Sequence, residues 1–321
     1  MSANAKEHSQ QLTGVLTHLG KQNAGPGAYA RAKRSISIQL DRPLFFILPA
    51  IALLATFILY PLVSTVVLSF TDSSGSWVGA DNYIQVVQSD RTARATLNTI
   101  YFVVASIILQ LILGTAAGIL LNERFKGQAI VRALTLIPWI IPGIVGAMTW
   151  AWMFHTDYGV INSILISFGI VDEPVRWLTN PNVVLPALTV VNVWKMFPFV
   201  AIMVLAGLQS IPQSLYEAAR MDGAMFWDEV RYITLPQLRT ILASISLLLV
   251  IAGVNSITII YAMTKGGPAD RSLITSIQIF VEAFQYFNFN QASALSLMFF
   301  VVSTVFIATH IWIDRRRARE G

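Results

Sequence analysis

The chain has 321 residues, of which 55% are hydrophobic and only 12% charged, with a mean hydropathy of +0.62; a soluble domain is roughly a quarter charged, so this chain falls in the membrane class. It has no cysteine, which excludes disulfides, iron–sulfur clusters and thiolate zinc sites. Its net charge of +5 is spread along the chain beside apolar runs, a pattern that fits membrane topology and not nucleic acid.

In chain order, residues 1–43 are polar and rich in Gly, Ala and Ser. Leu12, Val15, Leu16 and Leu19 recur at helical spacing, but the composition predicts a flexible tail. A helix that crosses a bilayer needs roughly 20 apolar residues. Six windows qualify: 44–70, 97–121, 133–154, 184–208, 241–263 and 292–313. The first is longer than the apolar region of a secretory signal and reads as a retained anchor. In the second, Gly114 and Gly118 make a small-xxx-small face for close helix packing. In the third, Pro138 and Pro142 predict a kink. The fourth contains Lys195 and Pro198 and is the least regular. Between the third and fourth, Ile161, Ile164 and Leu165 predict a short amphipathic helix among Gly159, Gly169, Pro174 and Pro181. "GGPADR" (Gly266–Arg271) reads as a turn-rich loop. The expected fold class is an all-α membrane protein with six transmembrane helices, residues 44–321 forming one transmembrane domain.

With both termini in the cytosol, sixteen of the 22 lysines and arginines lie inside, five lie outside and Lys195 sits in a span. The positive-inside rule favours this orientation. It puts the loop 209–240 in the cytosol. Within it, "EAARMDGAMFWDEVRYITLP" (Glu217–Pro236) is polar between two oily runs. Pro212 suits a first helical turn, while Ser214 and Glu217 have capping-box spacing. Gly223 tolerates the left-handed conformation that ends a helix. A second helix through Phe226, Trp227, Val230 and Ile233 should stop near Leu235–Pro236, because proline disfavours helix in the residue before it. A helix lying on anionic lipid would want a basic polar face. Here Glu217, Asp222, Asp228 and Glu229 outnumber Arg220, Arg231 and Arg239, so a protein partner fits better.

Glu217-Ala218-Ala219, Asp222-Gly223-Ala224 and Ile233-Thr234-Leu235-Pro236 resemble, in residues and in spacing, the EAA loop of permease subunits of bacterial ABC importers. "LNERFKGQAIVRALTLIPWIIP" (Leu121–Pro142), "WKMFPFVAIMVLAGLQSIP" (Trp194–Pro212) and "TKGGPADRSLITSIQIFVEAF" (Thr264–Phe284) resemble the carbohydrate-uptake branch, which carries maltose-like sugars and glycerol phosphates. The resemblance covers about residues 40–313. It implies a type I importer permease fold in the bacterial cytoplasmic (inner) membrane. It implies as partners a second permease that is a different chain, two ATPase subunits and an extracytoplasmic substrate-binding protein, with membrane lipid around them. It places Glu217, Ala218, Ala219, Asp222, Gly223, Leu235 and Pro236 in contact with the ATPase. No cofactor is expected in this chain, and ATP and Mg would be held by the ATPase. The nearest approach to a nucleotide loop, Gly14 to Gln22, has the wrong spacing and lacks the final Ser or Thr.

Sugars are held by amides, hydroxyls and aromatic faces. Polar residues within or beside the spans are therefore candidates for the substrate pathway: Asn192, Trp194, Lys195, Asn255, Tyr261 and Gln278, with Gln110 and Glu282 nearby. Ser256 and Thr258 read more simply as helix–helix contacts. The Lys195 ammonium would either serve the pathway or snorkel toward the outer surface. The rival function is an ion-coupled secondary transporter of small solutes. Such proteins place ionisable groups at mid-membrane, and no Asp or Glu is central in any of the six windows. An enzyme is disfavoured, since neither HExxH nor GxSxG occurs.

Overall fold

The computed structural model describes residues 42–320, and they are almost entirely helical. The flexible tail expected before Asp41, with its Leu12–Leu19 pattern, lies outside the described residues. The chain divides between Ser64 and Thr65 into two units. The described part of the first begins with α1 (Arg42–Leu54), passes through a π-helical turn (Ala55–Leu59) and enters α2 (Tyr60–Ser69). Large apolar side chains here, Ile51, Phe57 and Ile58 among them, are exposed.

In the second unit, α3 (Asp81–Gln88) leads into α4 (Asp90–Asn122). Ser89 caps α4 by accepting from Thr92 N–H at 3.4 Å. At 33 residues, α4 is about 50 Å long and overruns the hydrocarbon thickness. The third window forms α5 (Gln128–Ile140) and α6 (Gly143–Met153), bent by 94°. Pro138 lies inside α5 and Pro142 stands between the two helices. Pro142 has no N–H to close the last turn of α5, so the expected kink is a full break. The short helix expected between the third and fourth spans is α7 (Val160–Ser167), followed by α8 (Val184–Leu208). Then come α9 (Gln213–Met221), α10 (Phe226–Asp228), a second π-helical turn (Glu229–Thr234), α11 (Leu235–Val254), α12 (Ile257–Thr264), α13 (Thr275–Phe284) and α14 (Phe289–Glu320).

One expectation is corrected here. The helix does not stop at Leu235–Pro236. It runs through the π turn into α11, with Pro236 in α11's first turn. The residue before the proline donates one residue further back than in an α-helix, Leu235 N–H to Val230 O. Widening the turn moves the backbone that the proline ring would strike. The same device precedes Pro61, where Tyr60 N–H reaches Ala55 O.

Among the described residues, five helices are long and apolar enough to cross a membrane, or six if the bent pair counts as one. The core lies around α4 and α8. Phe102, Leu188, Ile260 and Ile277 form one fully buried cluster, while Val200, Val204, Leu238 and Ile245 form another. Gly114 and Gly118 make this approach possible. A β-carbon on Gly118 would lie 2.7 Å from Val204 Cγ1 and 2.9 Å from Ala201 O. The small-residue face of α4 is therefore used for packing.

Candidate functional site: a helical knob and a polar cavity

The segment from Gln213 to Thr234 makes a compact knob. α9 starts one residue after Pro212, which occupies the N-cap position, and no side chain caps it. It ends in a Schellman turn. Gly223 sits at φ +86°, Gly223 N–H donates to Arg220 O at 3.1 Å, and Ala224 N–H donates to Ala219 O at 2.9 Å. A β-carbon on Gly223 would meet nothing within 4 Å. The glycine is thus required within this chain by its left-handed backbone, not by crowding.

Two contacts clamp the arms of the knob. Arg220 donates to both carboxylate oxygens of Glu229, at 2.5 and 3.1 Å. Tyr216 Oη and Thr234 Oγ1 are 3.1 Å apart. The Glu229 carboxylate, bonded to Arg220 and opposite in charge, holds the guanidinium above its ordinary value. Asp228 accepts from Met225 N–H at 3.0 Å and fixes the start of α10. Arg220 and Glu229 are nine residues apart across a turn, so helical spacing does not pair them in the sequence. Opposite charges on either side of the turn glycine were the available signal.

The residues expected to couple to a partner lie on this knob, apart from Leu235 and Pro236, which open α11 directly after it. Glu217, Ala218, Asp222, Gly223, Leu235 and Pro236 are exposed, and Ala219 is half-buried. Beside them stand large apolar side chains: Met221 is 88% exposed, Met225 76% and Trp227 75%. Glu217 and Arg220 also border a cleft of about 600 Å3, whose other wall is the α4–α5 connection with Arg124, Gln128 and Arg132. That wall is built on donated hydrogen bonds. Gln128 Nε2 reaches Leu121 O at 2.9 Å and Glu123 O at 2.7 Å, and Arg132 Nη2 reaches Leu121 O at 2.8 Å. These bonds satisfy the end of α4.

Deeper in the bundle lies a second feature, a cavity of about 200 Å3 bordered by Ser106, Gln110, Asn192, Lys195, Ser256 and Thr258. It forms where two helices are interrupted, between α5 and α6 and between α11 and α12. Asn192 donates to Ser106 Oγ at 3.0 Å, and Gln110 Nε2 donates to Asn192 O at 3.2 Å; all three residues are buried. Lys195 turns to the break in the third span and not to a surface. Its ammonium donates to Pro138 O at 3.2 Å, to Trp139 O at 3.0 Å and to Ile141 O.

The other candidates stand apart from this cavity. Trp194 packs its ring edge-on to Trp150. Asn255 donates to Ile251 O at 2.9 Å and lines a separate, mainly apolar groove. Tyr261 Oη accepts from Gln285 at 2.6 Å, with its ring against Phe280. Gln278 is buried and donates to Thr92 Oγ1 at 2.9 Å. Glu282 pairs with Arg91 at 3.0 Å, and Arg91 also pairs with Asp270 at 3.1 Å, tying the Gly266–Arg271 loop to the start of α4.

Comparison with known proteins agrees with this architecture. The model of the family described as "binding-protein-dependent transport system inner membrane component" matches residues 110–319. The chain is 37% identical over 279 residues to the trehalose/maltose transport system permease protein MalF of Thermococcus litoralis, covering 84% of this chain and 92% of the relative. It is 32% identical over 275 residues to the sulfoquinovosyl glycerol transport system permease protein SmoG of Agrobacterium fabrum, covering 84% and 89%. Its fold is that of a chain in the crystal structure of a bacterial ABC transporter that imports the acidic polysaccharide alginate, with TM-score 0.78 and 24% identity, covering 88% of this chain and 99% of that one. The chain therefore belongs to the family of multi-pass inner-membrane components of binding-protein-dependent transport systems, and is a permease subunit of an ABC transporter.

Proposed function

We infer that this chain forms half of the translocation pathway of a sugar importer and is driven through its knob by a separate ATPase. The observation that carries this reading is the knob itself: a rigid, doubly clamped helical turn that exposes Met221, Met225 and Trp227 beside Glu217 and Asp222. Large exposed apolar groups rimmed by charge mark a protein interface. Glu217, Ala218, Ala219, Asp222, Gly223, Leu235 and Pro236 form the docking element. Two ATPase subunits hold ATP and Mg, a second and different permease completes the pathway, and an extracytoplasmic binding protein delivers the solute. The distribution of lysine and arginine supports a cytosolic knob and cytosolic termini. Residues 44–321 serve as the transmembrane domain, and the loop 209–240 as its coupling segment.

The relatives' solutes, and the amides and hydroxyls around the cavity, support a sugar as cargo. Within the pathway Asn192 acts with Ser106, Gln110, Ser256 and Thr258, and Lys195 borders the same cavity with its ammonium turned to the helix break. The test is site-directed cross-linking of the assembled transporter from Asp222→Cys, in a chain with no cysteine of its own. Capture of the ATPase subunit is expected. Capture of extracytoplasmic proteins only, or reaction of that thiol from outside intact cells, would refute the assignment.

A further inference from the structure

An ammonium inside a membrane span is costly unless its charge and its three donors are met. Lys195 lies midway along α8. Its partners are the last carbonyls of α5, where the third span breaks. Those carbonyls need donors for a reason legible in the backbone. Pro142 has no N–H to return to Pro138 O, and α5 ends at Ile140, so Trp139 and Ile141 face the break as well. In an apolar surrounding such groups must be satisfied internally. The negative end of the α5 dipole in turn favours the positive charge. Lysine and helix end therefore solve each other's problem.

We propose that Lys195 is a latch that fixes the angle between α5 and α6, and is thereby a positioning residue for transport. The connectivity gives that angle a consequence. α5 begins at the cleft beside the knob, where Gln128 and Arg132 are bonded to the end of α4. Gly143, the first residue of α6, borders the polar cavity, and a β-carbon there would contact Thr258 at 3.4 Å. The break thus joins a knob-side half of the third span to a cavity-side half. One helical turn before Lys195, Asn192 holds α4 through Ser106. A single stretch of α8 therefore fixes two neighbouring spans, one on each side of the cavity. The transport consequence rests on the reading of that cavity as the solute pathway; the latch itself does not.

The test uses the assembled transporter reconstituted with its binding protein. Spin labels at Ile130→Cys and Met148→Cys, exposed positions on α5 and α6, report the distance across the break. The native protein and Lys195→Arg, which keeps charge and donors, are expected to give the same narrow distribution. Lys195→Met, which removes the donor to all three carbonyls, is expected to broaden or shift it and to lower maximal uptake by about tenfold or more, with little change in the solute concentration for half-maximal uptake. Where Lys195→Met does not assemble, Lys195→Gln, with two N–H donors for three carbonyls, takes its place. An unchanged distance in Met or Gln variants, or a Lys195→Arg variant that behaves like Lys195→Met, would overturn the latch. A changed distance with native uptake would support the latch and remove the cavity from the pathway.

Discussion

Gly223 shows how one residue's backbone can set the shape of a surface knob. Its φ of +86° and the two bonds that close the Schellman turn aim α10 back toward α9. A side chain there has room but would force an L-residue into the left-handed region, so Gly223→Ala should cost about 1 kcal/mol. Thermal unfolding of the purified chain measures this, and the loss should concentrate in knob peptides by hydrogen exchange. Arg220→Ala and Glu229→Gln should each speed exchange over 213–234, and the double variant should do so no more than the worse single one, because both remove the same clamp. Additive effects would show that the two residues act separately. Tyr216→Phe should cost about 1 kcal/mol through its hydroxyl contact with Thr234.

Among the elements, the spans were legible because each is a long apolar run, and a close-packing face on α4 was legible because Gly114 and Gly118 are one helical turn apart, though not that α8 is the helix packed on it. Gly118→Leu should destabilise that pair by about 1–3 kcal/mol, read as the midpoint of unfolding in detergent, since the new side chain would overlap Val204. Prolines 138 and 142 announced a bend but not its 94°, because the angle depends on what occupies the gap, and that occupant is Lys195 on another helix. The continuity through Pro236 was not legible either. Proline before a helix and proline after a widened turn look alike in one dimension, and only the Leu235-to-Val230 bond separates them. Of the pathway candidates, Asn192 and Lys195 converge on a cavity, whereas Trp194, Asn255, Tyr261 and Gln278 contact other parts of the bundle. Polarity within a span identifies a group that needs a partner; it does not say whether the partner is a solute or another helix.

On the proposed reading, knob and cavity act as one machine in the assembled transporter. Filling the cavity should stop the solute without disturbing the knob. Ser256→Leu is therefore expected to reduce uptake while leaving cross-linking from Asp222→Cys to the ATPase intact. Loss of both together would mean that the substitution had simply unfolded the chain. Breaking the knob should do the reverse, leaving the spans folded and the motor unharnessed. The decisive quantity is solute taken up per ATP hydrolysed by the reconstituted transporter carrying Gly223→Val. Normal assembly, continued hydrolysis and a ratio that falls toward zero are expected; a ratio equal to that of the native transporter would show that the knob does not transmit the motor's movement.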